Sequence, residues 1–202
     1  MDYDMENKKV LITGNRNYGL CKAICDLFDT VDSIDYSTAS RSTGWDLDKQ
    51  SEQDRLAKHF VDDDFNIFIN NAAIWKYQQT LMLETMYQYM IDKNKSGYII
   101  NMGSTADTGV KGRTWRYPTE KKALKAYNRD LTYMTIGGSN IKTTLLSPGS
   151  LTTPSVIKKH PDRKLIDIEY VAETILWLIN QPDYVNINEI SLDPIQDGIF
   201  SR

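Results

Sequence analysis

Tyr117 and Lys121 stand four residues apart in Tyr117-Pro118-Thr119-Glu120-Lys121, at the head of a segment with helical spacing. Residues four apart on a helix share a face, so the Lys121 ammonium comes near the Tyr117 hydroxyl. A positive charge there favours the phenolate and draws a tyrosine below its ordinary pKa of about 10. Such a phenol can exchange a proton with an alcohol or a carbonyl oxygen as general acid or base. Pro118 is compatible with this, because proline is comfortable in a first helical turn and lets the helix begin near Tyr117. Without chemistry, the same residues read as a surface aromatic at a helix start and a solvated lysine, among other charges at Arg116 and Lys122.

A second cluster with chemical potential is the turn Thr13-Gly14-Asn15-Arg16-Asn17-Tyr18-Gly19-Leu20-Cys21, between the apolar run Val10 to Thr13 and a helix beginning near Gly19. Glycine lets a backbone come close to a pyrophosphate, and the free N–H groups and positive dipole end of a helix start attract the anion. The bare pattern also fits an ordinary strand-to-helix turn.

The elements that must position these residues alternate, short apolar runs with longer segments of helical period. That pattern predicts a three-layer α/β fold, a doubly wound parallel sheet of Rossmann-like type in a single domain over 1–202. Expected strands are Val10 to Thr13, a weaker stretch from about Asp32 to Ala39 followed by Trp45-Asp46-Leu47, then Asn66 to Ile69, Tyr98 to Met102, Ile141 to Leu146 and Ile187 to Leu192. Expected helices start near Gly19 and cover about Ser51 to Phe60, Gln79 to Asp92, Pro118 to Met134 and Ile168 to Ile179.

Composition removes several classes. The chain has 202 residues, 24 Lys+Arg against 27 Asp+Glu, 2 Cys and 2 His. A domain of this size can bury roughly 70% of its unfolded surface and needs no disulfide or metal staple. The balanced charge provides no field to attract nucleic acid or an anionic membrane. No apolar run reaches the roughly 18 residues of a membrane span, and the polar, acidic start Met1 to Lys9 reads against a secretion signal, so a cytoplasmic protein is expected. Cys21 and Cys25 have only the distant His59 and His160 as companions; no metal site is expected and both thiols read as structural.

From end to end the sequence resembles the short-chain dehydrogenase/reductase family. Thr13-Gly14 with Gly19 is similar to that family's glycine-rich turn, with one residue more and Cys21 where the last glycine falls. Asn70-Asn71-Ala72-Ala73 resembles its Asn-Asn-Ala-Gly. Ser104 falls where the family has its catalytic serine, and Tyr117 and Lys121 match its Tyr-x-x-x-Lys, 13 residues further on. Pro148-Gly149 with Thr153 resembles the segment that holds the nicotinamide carboxamide, and Asp46-Leu47 the pair beside the adenine. The resemblance implies an NAD(P)-dependent oxidoreductase acting on a small carbonyl or alcohol. Ser104 would hold the substrate oxygen, Tyr117 act as acid or base and Lys121 lower its pKa. It implies cofactor contacts at Gly14, Asn15, Arg16, Gly19, Leu20, Arg41, Ser42, Asp46, Leu47, Asn70, Asn71, Ala72, Tyr117, Lys121, Pro148, Gly149 and Thr153.

The choice of cofactor turns on the second strand. If it ends at Asp35, that carboxylate selects NAD(H). If it runs to about Ala39, Ser40-Arg41-Ser42 and Arg16 can meet a 2′-phosphate, and the count of 20 residues from Cys21 to Arg41 favours this NADP(H) reading. The family also implies a homodimer or homotetramer through the two helices flanking the site. Leu81, Leu83, Met86 and Met90 would then be interface residues, or core residues if they face inward. Pro154 to Pro161 falls where the family has a mobile lid. Asn70 and Ser104 are only 34 positions apart, an abbreviated helical region, and no asparagine stands near Lys76 for the family's fourth catalytic residue. A dinucleotide-binding module with weak or no catalysis is therefore the alternative.

Overall fold

The computed structural model describes residues 8–108 and 116–195, and the polar start at 1–7 lies outside them. Six strands, β1 (Lys8–Thr13), β2 (Ile34–Ala39), β3 (Ile67–Asn70), β4 (Gly97–Met102), β5 (Ile141–Pro148) and β6 (Glu189–Leu192), form one sheet in the order β2-β1-β3-β4-β5-β6. All five pairings are parallel. Helices cover both faces, so the inner strands are buried on both sides, and β3 reads as the apolar run Ile67-Phe68-Ile69 while β5 buries Thr143 and Thr144. The edges β2 and β6 instead alternate exposed with half-buried positions.

The helices are α1 (Gly19–Phe28), α2 (Gln50–Asp62), α3 (Gln78–Asp92), α4 (Arg116–Ile136), the short α5 (Pro154–Lys159) and α6 (Ile168–Ile179). Because successive strand side chains point to opposite faces, β1 feeds two cores. Val10 and Ile12 pack with Ile24 and Phe28 of α1 and Ile175 and Leu178 of α6. Leu11, on the other face, packs with Phe60 of α2, Met82 and Met86 of α3 and Leu124 of α4. The result is three layers, helices on both faces of a parallel sheet. Leu83, Met86 and Met90 are fully buried in this core, so they belong to the monomer and not to an interface; Leu81 is half-buried.

One expectation is corrected. Trp45-Asp46-Leu47 forms no strand, since the five residues between Ala39 and Trp45 are fewer than the dozen or so a parallel crossover needs. β2 is thus the sheet edge, one strand short of the standard 3-2-1-4-5-6 order on that side. Between β3 and β4 the chain makes one complete crossover through α3. The order reverses beside β1, and a crevice opens there at the carboxyl ends of β1 and β3.

Candidate active site

The turn after β1 is built for close approach. Gly14 has φ +143°, and a Cβ there would lie 2.7 Å from Asn71 Nδ2 and 3.0 Å from the Cys21 Cβ. Thr13 holds the facing segment: its Oγ1 accepts from the backbone N–H of Asn71 at 2.9 Å and of Ala72 at 3.0 Å, while Asn71 Nδ2 donates to the Thr13 carbonyl at 3.0 Å. Asn15 organises the turn by accepting from the Asn17 N–H at 2.9 Å. At the start of α1, Tyr18 supplies no side-chain cap and the first turn holds no acid. Its leading N–H groups therefore remain available to an anion. Gly19, at φ +56°, faces Thr153 across a gap: a Cβ would stand 3.8 Å from Thr153 Cγ2. These residues fit a pyrophosphate. Cys21 and Cys25 are free and buried, as expected of structural thiols.

β2 runs to Ala39, so Ser40, Arg41 and Ser42 follow its carboxyl end, while Asp35 pairs with Lys9 near the other end. Asp35 is thereby removed from the crevice. Arg41 is exposed and engaged by Asp46 at 3.1 Å and by Asp48. Lys49 first, then Arg41, hold the Asp46 carboxyl below its ordinary range. Arg16 pairs with Asp26 at 3.1 Å and Asp29 at 2.5 Å, against the Tyr36 ring. Ion pairs this exposed exchange readily with a phosphate. Leu47 is buried in the core, and its carbonyl accepts from Gln53 Nε2 at 2.8 Å, so its side chain is no ligand. Asn70 is likewise turned inward, its Nδ2 donating to the Gln79 carbonyl at 3.0 Å and to Asn101 Oδ1 at 2.9 Å.

Ser104 follows β4, 8% exposed, and its Oγ accepts from the Ala106 N–H at 3.2 Å. Tyr117 and Lys121 lie in the first turns of α4, with Lys121 Nζ 5.6 Å from the centre of the Tyr117 ring. The three sequence-predicted residues therefore converge. Their electrostatics differ from expectation in one respect. Burial pushes the Tyr117 phenol above its ordinary pKa; the Ser104 hydroxyl pulls it down and the Asp107 charge adds to the rise. The Lys121 ammonium, beside the ring, is held by other partners. Nζ donates to the Met102 carbonyl at 2.6 Å and to Gln79 Oε1 at 2.8 Å. Burial brings Lys121 itself down to about 8, against the raising influence of Glu120 and Asp107.

Over the tyrosine lies a braced loop. Lys76 and Tyr77 both hold positive φ, +64° and +62°, a strained pair for residues with side chains. Glu120, mostly buried, holds it by accepting from the Lys76 N–H at 2.8 Å and from Arg116 Nε at 2.6 Å. Trp75 meets the Tyr117 ring edge-on at 6.3 Å. A cavity lined by Ile74, Trp75, Gln79, Thr80, Tyr117 and Lys121 holds about 50 Å³.

Opposite, Pro148 ends β5 beside Leu192, and Gly149 donates to the Leu192 carbonyl at 2.7 Å. A Cβ on Gly149 would lie 2.7 Å from Asp193 Oδ1, which also accepts from Thr105 Oγ1 at 2.7 Å. The segment expected as a lid contains α5, begun by Pro154 after Thr153. Sequence reasoning missed Gln79, Glu120 and Trp75. A signal existed for the first: Gln79 is a polar residue in the stripe Gln79, Met82, Leu83, Met86, Met90, which otherwise marks a core face. Among the described residues no cluster of metal-ligating side chains occurs, and no helix is long and apolar enough to cross a membrane.

No family model matches the chain. Over 104 residues it is 31% identical to an uncharacterized oxidoreductase of Staphylococcus aureus, a match covering 51% of this chain and 45% of that protein. A Staphylococcus epidermidis oxidoreductase is 27% identical over 115 residues, 56% of this chain and 49% of that one. The chain thus spans about half the length of the curated relatives it matches. Among solved structures, serine dehydrogenase from Escherichia coli superposes with a TM-score of 0.67 at 18% identity, covering 91% of this chain and 96% of that one. A 4-hydroxyisoleucine dehydrogenase complexed with NADH superposes with a TM-score of 0.74 at 17% identity, covering 93% and 97%. A short chain dehydrogenase/reductase family protein superposes with a TM-score of 0.70 at 19% identity, covering 95% of this chain and 97% of that one, so the chain has the fold of these dehydrogenases.

Proposed function

We propose that the protein is an NAD(P)-dependent oxidoreductase of small carbonyl or alcohol substrates. The observation that carries this reading is the convergence of Ser104, Tyr117 and the buried Lys121 ammonium at the carboxyl ends of the strands, beside the uncapped start of α1. Gly14, Asn15, Arg16, Gly19, Leu20, Asn71 and Ala72 would hold the pyrophosphate half. Pro148, Gly149 and Thr153 would hold the other end. A bound nicotinamide would supply or accept the hydride.

The chain's own groups do the rest. Ser104 would hold the substrate oxygen and steady charge developing on it. A phenol raised by burial keeps its proton at neutral pH, which suits Tyr117 to donate it to that oxygen and favours the reducing direction. Lys121 would lend its positive charge as the phenolate forms. Ser40, Arg41 and Ser42 after β2 support NADP(H) over NAD(H). The test is calorimetric titration with NADPH and NADH, then turnover on a panel of small carbonyls. Tyr117→Phe should leave cofactor affinity within about twofold and reduce kcat by at least about 100-fold; unchanged turnover would remove the mechanism.

A second reading, a dinucleotide-binding module with weak catalysis, is favoured by the small pocket beside Tyr117. The cavity beside Tyr117 holds about 50 Å³, narrow for a carbonyl substrate, with Trp75 among its walls. Tight cofactor binding without turnover on any substrate would select it.

A further inference from the structure

We propose that Gln79 is the positioning residue of this site, fixing the Lys121 ammonium by direct contact; the proposal rests on Lys121 having the role given above. Its carboxamide bridges three elements. Nε2 donates to the Asn70 carbonyl at the end of β3, 2.8 Å, and to the Met102 carbonyl at the end of β4, 3.1 Å, while Oε1 accepts from Lys121 Nζ of α4 at 2.8 Å. This orientation is the one the site allows. Reversed, the amide would set N–H against an ammonium and oxygen against two carbonyls, leaving buried groups on all sides unpaired.

The arrangement reaches further than packing. Lys121 Nζ is held by Gln79 and by Met102 at 2.6 Å, so two of its three N–H bonds are taken and one remains for a bound group. Behind Gln79 the network continues, Asn70 to Asn101 at 2.9 Å and Asn101 to Asn128 at 2.9 Å, all four buried. Long side-chain freedom is thus removed from the lysine before any ligand arrives, which is what preorganisation of a charge requires. Lys76, at the place counted for an asparagine, is exposed on the strained loop and takes no part.

The charged and titratable groups facing Lys121 are Glu120 and Asp107, which both favour its charge, and the Tyr117 ring on its own helix. From α3 the hydrogen-bond partner is the neutral Gln79, so substitution there changes the ammonium's surroundings in a chosen direction. Gln79→Glu places an opposite charge against Nζ and should raise the Lys121 titration midpoint by about 1 to 3 units. Gln79→Met removes the acceptor and should lower it.

The experiment is an NMR titration of isotope-labelled lysine in the unliganded full chain, wild type and both variants, with circular dichroism verifying the fold. Opposite displacements of the Lys121 midpoint in the two variants support the proposal, as would matching movement of the pH profile of kcat. An unmoved midpoint in folded Gln79→Glu overturns it, whether or not Gln79→Met folds. Because the readout needs neither cofactor nor turnover, displaced midpoints in a protein that reduces no carbonyl would uphold the role of Gln79 and sink the oxidoreductase reading instead.

Discussion

Replacing Gly14 by alanine tests the turn after β1 at its tightest point. At φ +143° an alanine occupies a region nearly reserved for glycine, at a cost of about 1–3 kcal/mol. Its Cβ would also stand 2.7 Å from Asn71 Nδ2, closer than any real contact, so the Asn71 side chain must move. That movement breaks the 3.0 Å bond to the Thr13 carbonyl, worth about 1 kcal/mol. Together these predict a loss of about 2–4 kcal/mol, and for a chain of this size a melting temperature lower by about 6–12 °C at the middle of that range. Gly138→Ala is the matched control: φ is +107° there, but nothing lies within 4 Å of the added Cβ. It should show the backbone strain without the contact, and should bind cofactor as wild type does. Thermal and urea unfolding of both variants, with NADPH titration of each, give the comparison. Gly14→Ala should bind at least about tenfold more weakly, or about 1.4 kcal/mol. If it were no less stable than Gly138→Ala and bound equally well, the reasoning about close approach at this turn would be refuted.

Lys121 should leave a signature in the pH dependence of stability. Its folded midpoint of about 8 lies below the unfolded value of about 10.4, so between the two the unfolded chain holds more protons and stability rises with pH. Below that window the lysine is charged in both states and the cost of burying the charge is fully present. Urea unfolding of wild type and Lys121→Met should therefore differ increasingly in favour of wild type, by about 2–3 kcal/mol between pH 7 and pH 10; a constant difference would show that burial does not set the shift. Trp75→Ala should open the pocket over Tyr117 and lower KM for carbonyls larger than acetone while leaving NADPH affinity unchanged, as read by steady-state kinetics; an unaltered KM would place the entrance elsewhere. Arg41→Ala should narrow any preference for NADPH over NADH by about tenfold in calorimetry, the loss of one paired phosphate contact; an unchanged ratio would pass that role to Arg16.

The alternation of short apolar runs with helical segments was enough to read the doubly wound layout, because strands buried on both faces are rich in apolar residues and amphipathic helices show their stripe. Gly14, Tyr117 and Lys121 were legible too, since their residue types and spacings follow from turn geometry and helix periodicity, whereas Ser104 was legible only through the family resemblance. What spacing could not carry is direction and environment. Asn70 and Leu47 sit in the expected motifs, yet their side chains point into the core, and Asp35 lies at the wrong end of β2.

Lys121 is four residues from Tyr117, and on that ground alone its ammonium would bond the phenol directly. Its ammonium is instead drawn toward the Met102 carbonyl and Gln79, groups 19 and 42 residues distant in sequence. The local chain fixed which residues share a face. Only tertiary packing decided which partners reach them, because hydrogen bonds between strand ends and helices join positions that no periodicity relates, and because burial, which moves both Tyr117 and Lys121 from their ordinary pKa values, is a property of everything packed around a residue.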